Sequence, residues 1–65
     1  MLNLNQATAE ELQKIKGIGK VTAEKIVDYR ADQGGFNSVE ELTNVSGIGQ
    51  KSLEQIKEEL SVEGV

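Results

Sequence analysis

The chain repeats itself at an offset of thirty residues, and this duplication constrains its fold more than any other feature. Residues 8–19 read TAEELQKIKGIG, and residues 38–49 read SVEELTNVSGIG. Because there are only two copies, the pattern indicates one duplicated unit rather than a solenoid of many repeats. We therefore expect a single domain, with repeat one at residues 8–33, a linker at 34–37 and repeat two at 38–62.

Each copy begins with the signal for the start of a short helix. Thr8 with Glu11, and Ser38 with Glu41, match the capping box, in which a hydroxyl and a carboxylate satisfy the first free amides of a helix. Apolar residues at helical spacing follow each cap. Each copy thus predicts a first helix with one apolar face.

Glycines predict how each first helix ends and how a second one begins. Gly17 and Gly47 stand at the ends of the first helices, since glycine accepts the left-handed conformation of a C-terminal cap. Gly19 and Gly49 follow two residues later, and a second helical pattern starts directly after each of them. We expect each copy to form a helix, a hairpin and a second helix.

The chain contains no proline and no alternating strand pattern, so we expect an all-α fold. One copy alone cannot bury its apolar face, whereas two copies can face each other in a small helical bundle with pseudo-two-fold symmetry. Phe36 in the linker is expected to plug the seam between the copies, and Tyr29 to pack there. The predicted core is aliphatic and consists of Leu12, Ile15, Ile18, Ile26, Leu42, Val45, Ile48, Leu53 and Ile56.

The two Gly-Ile-Gly turns are the candidate functional elements. A glycine turn before a helix lets backbone amides approach a ligand with no side chain in the way. Those amides lack intrahelical partners and sit at the positive end of the helix dipole, where anions bind. A single such turn could be only a tight helix connection, but two matched copies favour a phosphate-binding surface. The candidate contacts are Lys16, Gly17, Ile18, Gly19 and Lys20 in the first hairpin, and Gly47, Ile48, Gly49, Gln50 and Lys51 in the second.

The formal net charge of −4 argues against nucleic acid until the distribution of charge is considered. Lys16 and Lys20 flank the first turn and Lys51 follows the second, so the turns are locally basic on an acidic body. Residues 1–33 hold five basic and five acidic side chains, whereas residues 34–65 hold two basic and six acidic ones. We expect the first hairpin to be the stronger phosphate contact.

The composition excludes several classes of function. The chain has no cysteine and no histidine, which removes disulfides, thiolate metal sites and the commonest general base. We therefore expect a protein that is not an enzyme and that uses no cofactor or small-molecule substrate. No apolar run reaches the length of a membrane span, and no signal-peptide pattern is present. These observations predict either a small cytosolic protein or a domain taken from a longer one.

The chain resembles the tandem helix-hairpin-helix family, and within it the DNA-binding domain of ComEA-type competence proteins. The resemblance covers nearly the whole chain and implies a SAM-like helical bundle. It implies non-sequence-specific binding of double-stranded DNA at the cell surface and delivery of that DNA to an uptake channel. The residues that carry it are Asn3-Leu4-Asn5, Ala7-Thr8, Glu11-Leu12, Gly17-Ile18-Gly19, Ala23, Ile26, Asp28-Tyr29-Arg30, Gly35-Phe36, Ser38-Val39, Glu41-Leu42, Val45 and Gly47-Ile48-Gly49.

The same resemblance implies finer features of the site and its setting. The hairpin amides would contact backbone phosphates, other DNA-uptake proteins would be partners, and the domain would lie outside the cytoplasm as part of a longer, membrane-associated or periplasmic protein. A monovalent cation could be held by the carbonyls of Ile15, Ile18, Val45 and Ile48. Some relatives instead use this fold as a protein-interaction scaffold, an alternative that the net acidity favours and the lysines at the turns oppose.

Overall fold

The computed structural model describes residues 2–62, which form short helices joined by turns and closed by one pair of very short strands. This arrangement confirms the all-α architecture, with a helix, a hairpin and a second helix in each copy. No helix within these residues is long and apolar enough to cross a membrane. In chain order the elements are strand β1 (Leu2–Asn3), helix α1 (Ala9–Leu12), helix α2 (Lys20–Gln33), 3₁₀ helix η1 (Val39–Asn44), helix α3 (Gln50–Ile56), 3₁₀ helix η2 (Lys57–Glu59) and strand β2 (Leu60–Ser61).

The capping box predicted for the first copy is confirmed. The amide of Glu11 donates to Oγ1 of Thr8 at 3.1 Å, and the amide of Thr8 donates to Oε1 of Glu11 at 2.9 Å. The box fixes the start of α1, which is only four residues long and ends shortly before the first glycine turn.

The capping box predicted for the second copy is wrong. Ser38 makes no side-chain cap, and the copy forms the 3₁₀ helix η1 rather than an α-helix. The carboxylate of Glu41 instead accepts a hydrogen bond from the amide of Asn37 at 2.8 Å and another from the phenol of Tyr29 at 2.9 Å. Glu41 is therefore bound to α2, which a motif confined to four consecutive residues does not reveal.

The core lies between the two copies and is built as the apolar spacing predicts. All nine residues named above as core are buried. Phe36 is fully buried, and its ring stacks on that of Tyr29 with centroids 5.0 Å apart, so both aromatic residues pack at the seam as expected. The core also includes Ala23 and Leu60, which lie on the apolar stripes predicted for the second helices, and Leu4 and Ala7, which the helical spacing did not identify.

The two ends of the described chain meet in a parallel pair of strands, which the sequence does not predict. Leu2 pairs with Leu60 and Asn3 with Ser61 in β1 and β2. The amide of Leu4 extends the pairing with a 2.7 Å bond to the carbonyl of Ser61. Strands of two residues are too short to show an alternating pattern, so no sequence signal marks them.

Polar side chains fasten the N-terminal segment to the rest of the domain. The side chain of Asn5 donates to the carbonyl of Phe36 at 3.1 Å and accepts from its amide at 2.6 Å. Nη1 of Arg30 donates to the carbonyls of Leu4 at 3.1 Å and Ala7 at 2.6 Å. These bonds give Arg30 a structural role.

Candidate nucleic-acid interface

The two Gly-Ile-Gly turns have the same backbone conformation. The φ angles of Gly17 and Gly47 are 101° and 97°, in the left-handed region that favours glycine. Gly19 and Gly49 are extended, with φ of −92° and −102° and ψ of −176° and −175°. The duplication seen in the sequence is thus a duplication of turn geometry, as the matched glycines predict.

The isoleucine between each pair of glycines fixes its turn to the core. Ile18 and Ile48 are buried, at 4% and 6% exposure, so only their backbone can face a ligand. Their amides donate to the carbonyls of Ile15 at 3.0 Å and Val45 at 3.1 Å. Each hairpin is therefore anchored by an apolar side chain and closed by a backbone hydrogen bond.

The helices after the turns begin with free amides. Gly19 and Gly49 occupy the N-cap positions of α2 and α3 and provide no side-chain cap, because glycine has no side chain. Within residues 2–62, no carbonyl or side chain accepts from the amides of Lys20, Val21 or Gln50. Such amides at the positive end of a helix are suited to an anion.

Packing between the copies brings the turns together. A Cβ atom built at Gly17 would lie 3.5 Å from Cγ2 of Ile56, in the second helix of the other repeat. A Cβ atom at Gly47 would lie 4.0 Å from Oγ1 of Thr22 in α2. Because Thr22 belongs to the first turn of α2, directly after Gly19, the second hairpin lies beside the start of the helix that the first hairpin introduces.

The lysines at the turns are exposed and available to an anion. Within residues 2–62, the one ion pair joins Nζ of Lys57 to Oε1 of Glu54 at 3.0 Å. Lys16, Lys20 and Lys51 therefore have no acidic partner in the described part of the chain. The glycines of both turns and Gln50 are also exposed, which leaves Ile18 and Ile48 as the two predicted contacts whose side chains face inward.

Two features beside the hairpins were not predicted from the sequence. Val21, in the first turn of α2, is a large apolar residue that is 63% exposed. The side chain of Gln50 donates to Oε2 of Glu54 at 3.2 Å, and Glu54 pairs with Lys57. The spacing of Gln50 and Glu54 by four residues, which are neighbours on a helix, is a signal that could have identified their contact.

Glu54 and Lys57 each stabilise the ionised form of the other. The hydrogen bond from Lys57, followed by that from Gln50, lowers the pKa of the Glu54 carboxyl below its ordinary value. The hydrogen bond to Glu54 raises the pKa of the Lys57 ammonium above its ordinary value. Both groups consequently stay ionised at neutral pH.

The carbonyls named as cation ligands are partly engaged. The carbonyl oxygens of Ile15 and Val45 each accept the amide hydrogen bond that closes a hairpin. A carbonyl oxygen has a second lone pair, so these bonds leave one acceptor site on each. A cation held by these oxygens together with those of Ile18 and Ile48 stays a prediction.

Comparison with known proteins agrees with this geometry. Residues 1–61 match the model of the helix-hairpin-helix motif. ComE operon protein 1 of Bacillus subtilis (strain 168) is 49% identical over 62 residues, which are 95% of this chain and 30% of that protein. The human endonuclease/exonuclease/phosphatase family domain-containing protein 1 is 49% identical over 61 residues, which are 94% of this chain and 11% of that protein.

A third relative, an uncharacterized protein of Haemophilus influenzae, is 47% identical over 60 residues, which are 91% of this chain and 54% of that protein. The chain thus spans less than a third of the Bacillus relative, at 30%, and a smaller share of the human one, at 11%. The family match, in contrast, covers nearly the whole chain and includes both hairpins. On this match and the duplicated turn geometry, the chain belongs to the helix-hairpin-helix family.

Proposed function

We propose that this domain binds double-stranded DNA through its backbone phosphates, without regard to base sequence. The observation that carries the proposal is the pair of adjacent turns, each with a left-handed glycine and an uncapped helix start. Amides in this setting bind anions, and a duplex offers phosphates at regular spacing. Two adjacent anion contacts suit such a ligand better than they suit an isolated small anion.

The proposed contact surface combines backbone donors with side-chain charge. The free amides of Lys20, Val21 and Gln50 donate to phosphate oxygens, while the lysines release counterions from the duplex. Phosphate contacts carry no base information, which makes the binding independent of sequence. The surface consists of Lys16, Gly17, Ile18, Gly19 and Lys20 with Gly47, Ile48, Gly49, Gln50 and Lys51, where the two isoleucines contribute backbone atoms alone.

The wider role we propose is that of a DNA-receptor domain in an uptake protein. Support comes from the resemblance to ComEA-type domains and from the 49% identity to ComE operon protein 1 over 95% of this chain. In that role, the domain is one part of a longer extracytoplasmic protein and works with other uptake proteins. Carbonyls of Ile15, Ile18, Val45 and Ile48 would hold a monovalent cation against the phosphate.

The proposed role is binding rather than catalysis. The chain has no histidine or cysteine to serve as a general base or thiol nucleophile. The human relative's name refers to an endonuclease/exonuclease/phosphatase domain, but the similarity to this chain covers 11% of that protein. A role as a protein-interaction scaffold is the second candidate, and the formal net charge of −4 favours it.

A binding titration separates the two candidates. Fluorescence anisotropy with two unrelated duplexes of equal length should give equal affinities that fall steeply with added salt. If the hairpins neutralise about four phosphates, the logarithm of the affinity should fall with a slope of about −3.6 against the logarithm of salt concentration. Absence of binding at low salt, or binding that salt does not weaken, would favour the scaffold role.

Two glycine variants test whether the hairpins form the contact. A Cβ atom at Gly19 or Gly49 meets nothing within 4 Å, and their φ values suit any residue, so Gly19→Val and Gly49→Val should fold. A β-branched side chain would nevertheless stand between the free amides and a phosphate. Each variant should lose most of its DNA affinity, whereas Gln33→Val, at the far end of α2, should keep it. Wild-type affinity in both glycine variants would refute the hairpin contact.

A further inference from the structure

The two hairpins share one backbone conformation but differ in charge at matched positions. Lys16 before the first turn corresponds to Ser46 before the second, at the thirty-residue offset. Lys20 after the first turn corresponds to Gln50 after the second. Both hairpins therefore offer similar amides, while the first carries two positive charges at positions where the second carries none.

A cluster of three side chains at the second hairpin is a further difference between the two hairpins. It consists of Gln50, Glu54 and Lys57. The amide group of Gln50 is bound to Oε2 of Glu54 at 3.2 Å, so a donor at the second turn is directed along the helix. Oε1 of Glu54 is held by Lys57 at 3.0 Å. The cluster thus holds the carboxylate of Glu54 one helical turn after the start of α3.

The first repeat has no such cluster. Glu24 stands four residues after Lys20, as Glu54 does after Gln50, but Val27 occupies the position that corresponds to Lys57. Glu24 and Lys20 do not form an ion pair in the structure, although both lie in its described part. The ammonium of Lys20 is consequently free to approach a phosphate, and its charge offsets that of Glu24.

The distance from Glu54 to the second hairpin is short enough for its charge to matter. Four residues of α-helix span about 6 Å, which is less than the Debye length of about 8 Å at physiological salt. The carboxylate of Glu54 repels a phosphate bound at the turn, and its pairing with Lys57 reduces this repulsion without cancelling it, because Lys57 lies three residues further from the turn. Lys51 is the single cation directly beside the second turn, compared with Lys16 and Lys20 at the first.

We propose that the first hairpin carries most of the DNA affinity, and that the cluster of Gln50, Glu54 and Lys57 keeps the phosphate contact of the second hairpin weak. This inference rests on the proposed function. The domain then makes one strong and one weak phosphate contact rather than two equal ones.

Double variants at matched positions test the ranking of the hairpins. Lys16→Ala with Lys20→Ala should weaken duplex binding more than Gln50→Ala with Lys51→Ala, measured by anisotropy at three salt concentrations. The first pair removes two cations and should flatten the salt slope by up to about two units, and the second removes one and should flatten it by about one. Equal losses, or a larger loss from the second pair, would overturn the inference.

A charge-matched pair tests the role of Glu54. Glu54→Gln removes the carboxylate near the second hairpin, and Coulomb repulsion at about 6 Å in water, screened over a Debye length of about 8 Å, corresponds to a gain in affinity of at most about twofold. Glu10→Gln removes the same charge from the first turn of α1, outside the capping box and well before the hairpin, and should leave affinity nearly unchanged. An equal gain in both variants would assign the effect to net charge and overturn the role of Glu54.

These outcomes separate the inference from the proposed function. If the wild-type domain binds duplex DNA in a salt-dependent way but the variants show equal hairpins, the inference fails and the proposed function stands. If the wild-type domain binds no duplex at low salt, both fail. Circular dichroism of each variant confirms that a changed affinity does not reflect lost helix.

Discussion

Tyr29 donates a hydrogen bond of 2.9 Å from its phenol to Oε2 of Glu41, and this bond links α2 to the first turns of η1. The same phenol accepts from the side chain of Asn44 at 3.3 Å, while the ring stacks on buried Phe36. Tyr29 therefore joins the two copies by both polar and aromatic contacts. Its position at the seam explains why the second copy does not use the cap found in the first.

The polar part of this contact can be removed without the aromatic part. Tyr29→Phe keeps the ring on Phe36 but leaves Glu41 without the phenol, so it should lower the free energy of unfolding by about 1 kcal/mol. Tyr29→Ala removes the stacking as well and should cost more. Urea denaturation monitored by circular dichroism measures both losses. A Tyr29→Phe variant as stable as the wild type would show that the bond contributes nothing.

The helix starts show which contacts the sequence could predict. In the first copy, both partners of the capping box lie within four residues, and the motif predicts the bonds between Thr8 and Glu11 that form. In the second copy, Glu41 finds its partner Tyr29 twelve residues away. A local motif predicts local bonds, and it fails where packing between the copies offers the same carboxylate a better donor.

In the candidate site, too, the sequence predicts local features but not the contacts that depend on packing between the copies. The left-handed conformations at Gly17 and Gly47 were predicted, but their assignment as the ends of the first helices was wrong, because Gln13 caps α1 and Val45 caps η1 before each glycine is reached. The contact of Gly47 with Thr22 depends on how the copies pack, so the sequence could suggest only that the turns share a surface. The pairing of Leu2 with Leu60 joins opposite ends of the chain and had no signal at all.

Arg30 is expected to affect stability and not DNA binding. Its Nη1 donates hydrogen bonds to the carbonyls of both Leu4 and Ala7. Arg30→Ala should therefore lower the free energy of unfolding by about 2 kcal/mol. Arg30→Lys keeps the charge but lacks the planar fork, so it should lose part of that stability as well. Anisotropy measured well below the melting temperature should give wild-type DNA affinity for both variants. A loss of affinity in Arg30→Ala that Arg30→Lys restores would instead place Arg30 on a phosphate.

The two glycines of each hairpin should respond differently to alanine. Gly17 has a φ of 101°, which alanine adopts only under strain, and the nearest atom to a Cβ there is Cγ2 of Ile56 at an ordinary 3.5 Å. The backbone rather than a clash should therefore cost Gly17→Ala about 1–3 kcal/mol. Gly19→Ala, at a φ of −92° with open space around its Cβ, should cost less, about 0.5 kcal/mol, because alanine is a poorer N-cap than glycine. Thermal melts that rank the two variants equally would contradict this assignment of strain.

The ion pair of Glu54 and Lys57 predicts how stability should depend on pH. Folding lowers the pKa of Glu54, so its contribution is complete above the ordinary value of 4.5 and is lost as the pH falls through the lower folded pKa. Folding raises the pKa of Lys57, so its contribution is complete below the ordinary value of 10.5 and is lost as the pH rises through the higher folded pKa.

The difference in unfolding free energy between the wild type and Glu54→Gln should therefore be constant between pH 4.5 and 10.5 and should shrink outside that range. Glu54 is exposed and Lys57 is partly exposed, so the difference should be small and should decrease with added salt. Urea titrations in acidic, neutral and alkaline buffers, each at low and high salt, measure it. If this difference in unfolding free energy changed with neither pH nor salt, Glu54 would act through its hydrogen bond with Gln50 and not through its charge.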